Sequence, residues 1–330
     1  MTKDLHLVAL GNALVDIELH VHDDELQSTR LPKGGMTLVD AGDQHSLLQH
    51  FRVDRGRMSS GGSAANTVIA FRQFGGNAAY KTLLGSDALG DFFASEFESL
   101  GLHLFAERSA DHPTGTCVVL VTPDGERTMQ TSLGVNTNFS RQHIDADVIR
   151  RSEWLYIEGY KFTEESGAEA IDEAIFHAKK ADVRVAVTFS DTFIVNVFRD
   201  SLQRAVKAAD LIFCNEFEAK AFAETDDHHE AFRSLTSAVP NVAMTLGASG
   251  SRVRIAHDVH EIPAFPTTVL NTNGAGDMYA GAFLYGISHG MSTEKAGRLA
   301  SYASSLVVSQ HGARLQSSHT DVRDHILRTS

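Results

Sequence analysis

Short apolar runs of strand character alternate with amphipathic helical runs along almost the whole chain, and this alternation restricts the fold more than any other feature. Strands are expected at 5–10, 78–84, 154–157, 183–189, 211–214 and 242–246. Helices are expected between them: one from Ser63 carrying Ala64, Val68, Ile69 and Phe71, then 88–100 with Phe92, Phe93 and Phe97, then 168–181 and 195–208. Two long helices, 274–289 and 293–310, close the chain. Strands that are apolar throughout and separated by helices belong in a mostly parallel sheet covered on both faces. The expected class is therefore α/β with three layers, α/β/α.

Two stretches break the rhythm. Residues 14–21 alternate apolar and polar through Val15, Ile17, Leu19 and Val21, and 116–133 reads as a hairpin turning at Pro123, Asp124, Gly125 and Glu126. Alternating strands have one face toward water. With residues 36–40 they are expected to form a small sheet standing off the main layer, suited to serve as a lid. The reading is one domain spanning 1–330, with a discontinuous β lid formed by about 14–40 and 114–136.

The chain of 330 residues can bury one large core. Its formal charge of −13 argues against nucleic acid and anionic membranes as partners, but not against a nucleotide substrate. Cys117 and Cys214 both lie in apolar runs and read as buried thiols of a reducing compartment. No secretion pattern or bilayer-length apolar segment is present, so a cytoplasmic location is expected. The histidine pair His228 and His229 lies in an acidic stretch without metal-ligand spacing, and reads as a solvated helix start.

The stretch from Asn271 to Tyr279 carries the chemistry. Gly274, Ala275 and Gly276 open a helix, with Asp277 in its first turn. The first amides of a helix lack internal partners and carry the positive end of its dipole, so they attract anions. Glycines let such an anion reach the backbone. A carboxylate beside a bound phosphate can accept the proton of an attacking hydroxyl, which together gives the parts of a phosphoryl transfer.

Weaker signals accompany it. Gly11, Asn12 and Asp16 follow the first strand, where parallel sheets bind ligands. Gly61, Gly62 and Ser63 lead into a helix whose first turn holds Asn66, placed for a hydroxyl. Asn215 and Glu218 share one helical face and can order water around magnesium. Thr245, Gly247 and Gly250 form a turn able to admit nucleotide phosphates. Each alone is equally a cap or a turn. A P-loop, the protein-kinase signatures and a dinucleotide fingerprint are all absent.

In this order the motifs resemble the ribokinase-like (PfkB) family of carbohydrate and nucleoside kinases, over essentially the whole chain. The resemblance implies a three-layer core with a β lid, and is greatest to adenosine kinases. Gly11-Asn12-Ala13-Leu14-Val15-Asp16, Asn273, Glu126-Arg127-Thr128-Met129 and Leu133-Gly134 are similar to theirs. Tyr160 and Phe193 fall where those enzymes sandwich the purine, although core packing explains either ring equally well.

The resemblance implies Asp277 as base and the Gly274, Ala275 and Gly276 amides as anion hole. Arg127 would act from the lid. Asp16, Gly61, Gly62, Ser63 and Asn66 would bind ribose, with Asn12, Asn273, Tyr160 and Phe193 around the nucleoside. Asn215, Thr245, Gly247 and Gly250 would bind ATP, and Glu218 magnesium through water. Asn271 replaces the family's usual Asp, which puts potassium activation in doubt. The implied activity is ATP-dependent phosphorylation of a nucleoside 5′-hydroxyl, adenosine first. The alternatives are a sugar kinase of the same family and a non-catalytic nucleoside-binding protein. Monomer and homodimer stay open.

Overall fold

The computed structural model describes residues 3–51 and 56–328. Its strands are β1 (Leu5–Leu10), β2 (Leu14–His20), β3 (Met36–Leu38), β4 (Arg57–Gly61), β5 (Ala78–Gly85), β6 (His103–Ser109), β7 (Gly115–Val121), β8 (Arg127–Ser132), β9 (Ser152–Glu158), β10 (Arg184–Thr188), β11 (Leu211–Asn215), β12 (Val242–Thr245), β13 (Ser251–Ile255) and β14 (Asp258–Ile262).

Nine of them form one sheet in the order β14-β13-β12-β11-β10-β9-β1-β5-β6. Pairing is parallel from β12 to β6, and antiparallel only for β12–β13 and β13–β14. The sheet is buried on both faces, and β1 shows why its sequence is apolar throughout. Leu7 and Ala9 join a core under the helices Ser63–Gln73, Ala275–Ser288 and Thr293–Val308, while Leu5, Val8 and Leu10 join the opposite core under Glu165–Lys180 and Arg199–Ala208. This is the expected α/β/α class.

Helix 195–208 differs from expectation. Asp191 caps an earlier start through Phe193 N–H, giving Thr192–Val197; Phe198 then leaves helical geometry, its ring edge-on to Phe193, before Arg199–Ala208 begins. His228 and His229 do open a helix, capped by Asp227.

A smaller sheet runs β3-β8-β7-β2-β4. Its strands alternate because its two faces have different surroundings. Val15, Ile17, Leu19, Val118 and Leu120 point to the main core and to Leu47 of the helix Ala41–Phe51. Leu14, Asp16, Cys117, Val119, Arg127, Met129 and Thr131 point the other way, into a cleft.

Successive strands depart in opposite directions from β1, to β5 and β6 on one side and to β9–β12 on the other. Open α/β sheets bind ligands beyond the carboxyl ends of their strands at such a switch point. Here that is the junction of β1 and β9, and the small sheet faces it. Among the described residues no helix is long and apolar enough to cross a membrane.

Candidate active site

The cleft between the sheet ends and the small sheet has a volume of about 710 Å³. Its mouth at the late helix is built by glycine. Gly274 takes φ +75° as the N-terminal cap of Ala275–Ser288, and a Cβ there would strike the backbone of Ala313. Gly276 faces the cleft, and a Cβ there would meet nothing. Ala275 N–H donates to Thr272 O at 3.3 Å, and Met278 N–H to Gly274 O at 2.8 Å. Among the described residues the N–H groups of Gly274, Gly276 and Asp277 find no acceptor. The open donors are thus the N–H groups of Gly274, Gly276 and Asp277, with Ala275 engaged locally and absent from the cleft wall.

Asp277 itself stands on the cleft wall. Ser63 Oγ donates to its Oδ1 at 2.6 Å and Asn66 Nδ2 to its Oδ2 at 3.2 Å. Burial pushes its carboxyl up from 3.8 to about 6, held back by those two bonds. A carboxyl in that range is ionised at neutral pH and basic enough to take a proton.

The side of the cleft that carries the expected acceptor residues is laid down by β1, β2 and β4. Gly62, at φ +102°, brings the chain against Asn12 O, where a Cβ would not fit. Gly61 ends β4 opposite Leu14, and any side chain there would strike the Asp16 carboxylate. Asp16 lines the cleft; burial pushes it up to about 7, opposed by Arg314 and then Arg127. Arg127 lines the cleft from β8, is ion-paired with Glu18, and keeps its Nη1 buried without a partner.

On the far side, Asn215 and Glu218 form a reciprocal cap. Glu218 N–H donates to Asn215 Oδ1 at 2.9 Å, while Asn215 N and Nδ2 donate to the Glu218 carboxylate at 2.9 and 2.8 Å. Glu218 is buried rather than a surface acid, and burial pushes it up to about 7, with Asp191 adding to the rise. Both acids line the cleft together with Thr245. Both Glu218 oxygens already accept from Asn215, so these acids fit magnesium through its water shell, which the ion largely keeps.

The structure does not bring every expected residue to this cleft. Asn273 and Tyr160 line it, but Phe193 is 44% exposed in the first turn of its short helix and is not part of the wall. Gly247 and Gly250 also stand outside the wall; Gly250 is required by its φ of +91° and close approach to Ile262 O. Asn271 lines the cleft, its Oδ1 already accepting Asn273 N–H at 2.9 Å and its Nδ2 buried without an acceptor.

Three residues escaped the sequence reading. Arg314 donates to Ser60 Oγ at 2.7 Å, Glu96 Oε1 at 3.0 Å and Asn66 Oδ1 at 3.5 Å, tying the small sheet to the side chain that holds Asp277. Glu158, at the end of β9, accepts Asn12 N–H at 2.6 Å and Ala64 N–H at 2.7 Å, joining the loop after β1 to the helix start after β4. Lys161 donates to Asn12 Oδ1 at 2.9 Å. The only prior signal was that Glu158 follows an apolar strand, where ligand loops begin.

Unpaired amides beside a carboxyl raised by burial, under a small sheet at the switch point of an α/β fold, are parts that suit phosphoryl transfer to an alcohol. The family comparison agrees. The chain belongs to the pfkB family of carbohydrate kinases, whose profile matches residues 30–321. It is 28% identical to an adenosine kinase of Saccharomyces cerevisiae over 327 residues, covering 93% of this chain and 95% of the relative. Among solved structures, a probable sugar kinase from Rhizobium etli superposes with a TM-score of 0.90 at 31% identity, covering 98% of this chain and 99% of that one. An adenosine kinase from Sinorhizobium meliloti superposes with a TM-score of 0.89 at 32% identity, covering 97% and 99%. The chain is thus a ribokinase-like nucleoside or sugar kinase.

Proposed function

We propose that this chain transfers the γ-phosphoryl group of ATP to the 5′-hydroxyl of a nucleoside, adenosine first. The observation that carries the reading is Asp277, held by Ser63 and Asn66 on the cleft wall next to the free amides of Gly274 and Gly276. In this reading Asp277 takes the proton of the attacking hydroxyl. The two glycine amides hold the phosphoryl oxygens as charge spreads over them. Asp16, Gly62 and Asn66 receive the ribose hydroxyls, and Arg127 offsets phosphate charge from the lid.

Asn215 and Thr245 face ATP. Glu218, with Asp191 nearby, would hold magnesium, which when bound neutralises phosphate charge. Asn271 offers a monovalent cation an uncharged oxygen in place of a carboxylate, which weakens any potassium site there.

A nucleoside is favoured over a free sugar by the lid. Its cleft-facing side presents Leu14, Val119, Met129, Met36 and Leu38, an apolar surface for a flat base rather than for hydroxyls. The similar adenosine kinases of S. cerevisiae and S. meliloti support the same choice. Two observations favour a sugar: the similarity to the probable sugar kinase of R. etli, and the 44% exposure of Phe193, which leaves Tyr160 alone of the two aromatics proposed to sandwich a base. ADP release measured across nucleosides and free sugars decides between them. Turnover of adenosine supports the proposal; turnover of a sugar with no nucleoside overturns it.

A further inference from the structure

Beneath the acceptor end of the cleft lies a buried polar cluster with no part in the transfer described above. Lys161 is 3% exposed. Its ammonium donates to Asn12 Oδ1 at 2.9 Å and to Asn136 O at 3.4 Å, and sits 4.1 Å from the centre of the Phe139 ring. Glu158, also buried, accepts the Asn12 backbone N–H. Asn12 is therefore gripped twice, by a carboxylate at its backbone and by an ammonium at its side chain. Asn136 fixes the same loop, donating to Ala13 O at 2.9 Å and accepting from Ala13 N–H at 3.3 Å.

The chemistry of Lys161 decides how Asn12 is turned. An ammonium has only donors, so the amide edge that faces it must be the oxygen. The NH₂ edge is then turned away, and among the described residues nothing accepts from it, although Asn12 lines the cleft. Burial pushes Lys161 down and Glu158 up, and each charge opposes the shift of the other. The two backbone N–H groups on Glu158 also favour its ionised form, and that charge in turn favours the ammonium of Lys161.

We propose that Lys161 is a positioning residue that locks the Asn12 amide with its NH₂ edge toward the acceptor pocket, so that the site selects a substrate presenting a lone pair there. A ring nitrogen, an ether oxygen or a hydroxyl oxygen satisfies that donor; an N–H group at the same place does not. The nature of the substrate rests on the functional proposal above, but the lock does not.

The lock is read without catalysis from the Asn12 side-chain amide in a ¹H–¹⁵N correlation spectrum, assigned by its loss in Asn12→Asp. Lys161→Met shifts or broadens that pair of resonances; an unchanged pair overturns the proposal. Kinetics read its consequence with the acceptor that the wild type turns over best. Asn12→Ala and Lys161→Met each raise the acceptor KM about tenfold, as for one lost hydrogen bond, with kcat within about threefold. The double variant is no worse than Asn12→Ala, because the lysine acts through the asparagine; independent effects multiplying to about a hundredfold overturn the proposal.

Should Lys161→Met fail to fold, Asn12→Asp carries the kinetic test. Its carboxylate pairs with Lys161 and offers only acceptors, so KM rises about tenfold or more without a lower Tm; an unchanged KM overturns the proposal. Turnover of a sugar alone refutes the nucleoside reading while the lock is still tested on that sugar. If no acceptor turns over, the amide resonance decides.

Discussion

Asp277→Asn is predicted to make the protein more stable and nearly inactive. Folding lifts the Asp277 carboxyl from 3.8 to about 6. An acid so raised holds its proton more tightly when folded, so native stability falls as pH rises from the unfolded value to the folded one. By linkage the full loss at pH 8 is about 3 kcal/mol, and at pH 5 about half of that. Solvent at the cleft edge and local relaxation would reduce both, leaving about 1–2 kcal/mol at pH 8 with the ratio kept. Asparagine escapes this cost and keeps both contacts: its oxygen accepts from Asn66, and its NH₂ donates to the Ser63 hydroxyl, which can serve as donor or acceptor. Losing the Asp277 charge also relieves Asp16, in the same direction. Urea unfolding at pH 5 and pH 8 measures the difference, and ADP release measures activity. The expected result is a gain about twice as large at pH 8 as at pH 5, with turnover lower by about a hundredfold or more. A gain independent of pH, a loss of stability, or near-normal turnover would refute the reasoning.

Other substitutions separate folding from chemistry. Gly274→Ala should destabilise by about 1–3 kcal/mol in thermal unfolding, because φ of +75° and contact with Ala313 leave no room for a Cβ, whereas Gly276→Ala should unfold like the wild type yet lose turnover. Equal effects of the two on stability would contradict the packing. Arg127→Ala should lower kcat about tenfold or more with little change in acceptor KM; the reverse pattern would remove the lid arginine from the transfer step. Arg314→Met should raise acceptor KM and lower kcat together, since Asn66 and Ser60 both lose their partner, and a change confined to ATP affinity would contradict that link.

The sequence showed what local pattern can show. Six strands of the main sheet follow from apolar runs such as Leu5–Leu10, without β6, β13 and β14, and the helix start at Ala275 follows from its glycines. It could not show Arg314, whose contacts with Asn66 and Ser60 lie 248 and 254 residues apart in the chain and follow no spacing rule. Lys161 was hidden because a lysine beside an aromatic reads as surface, and only β1 beside β9 buries it against Asn12. The antiparallel edge β13–β14 was missed because Arg252 and Arg254 alternate with Val253 and Ile255, a pattern of an exposed strand rather than of a parallel core. Phe193 illustrates the converse. Its place in the sequence suggested a stacking ring, but the Asp191 cap starts a helix there and turns the ring outward.

The central claim is that the Gly274 and Gly276 amides and Asp277 act together on one phosphoryl group. The most direct measurement is a crystal structure with ADP, magnesium, aluminium fluoride and the acceptor alcohol. The account predicts the fluoride species on those two glycine amides, with the attacking oxygen within hydrogen-bond reach of Asp277. A phosphoryl mimic bound away from the late helix, or an attacking oxygen beyond the reach of Asp277, would contradict it.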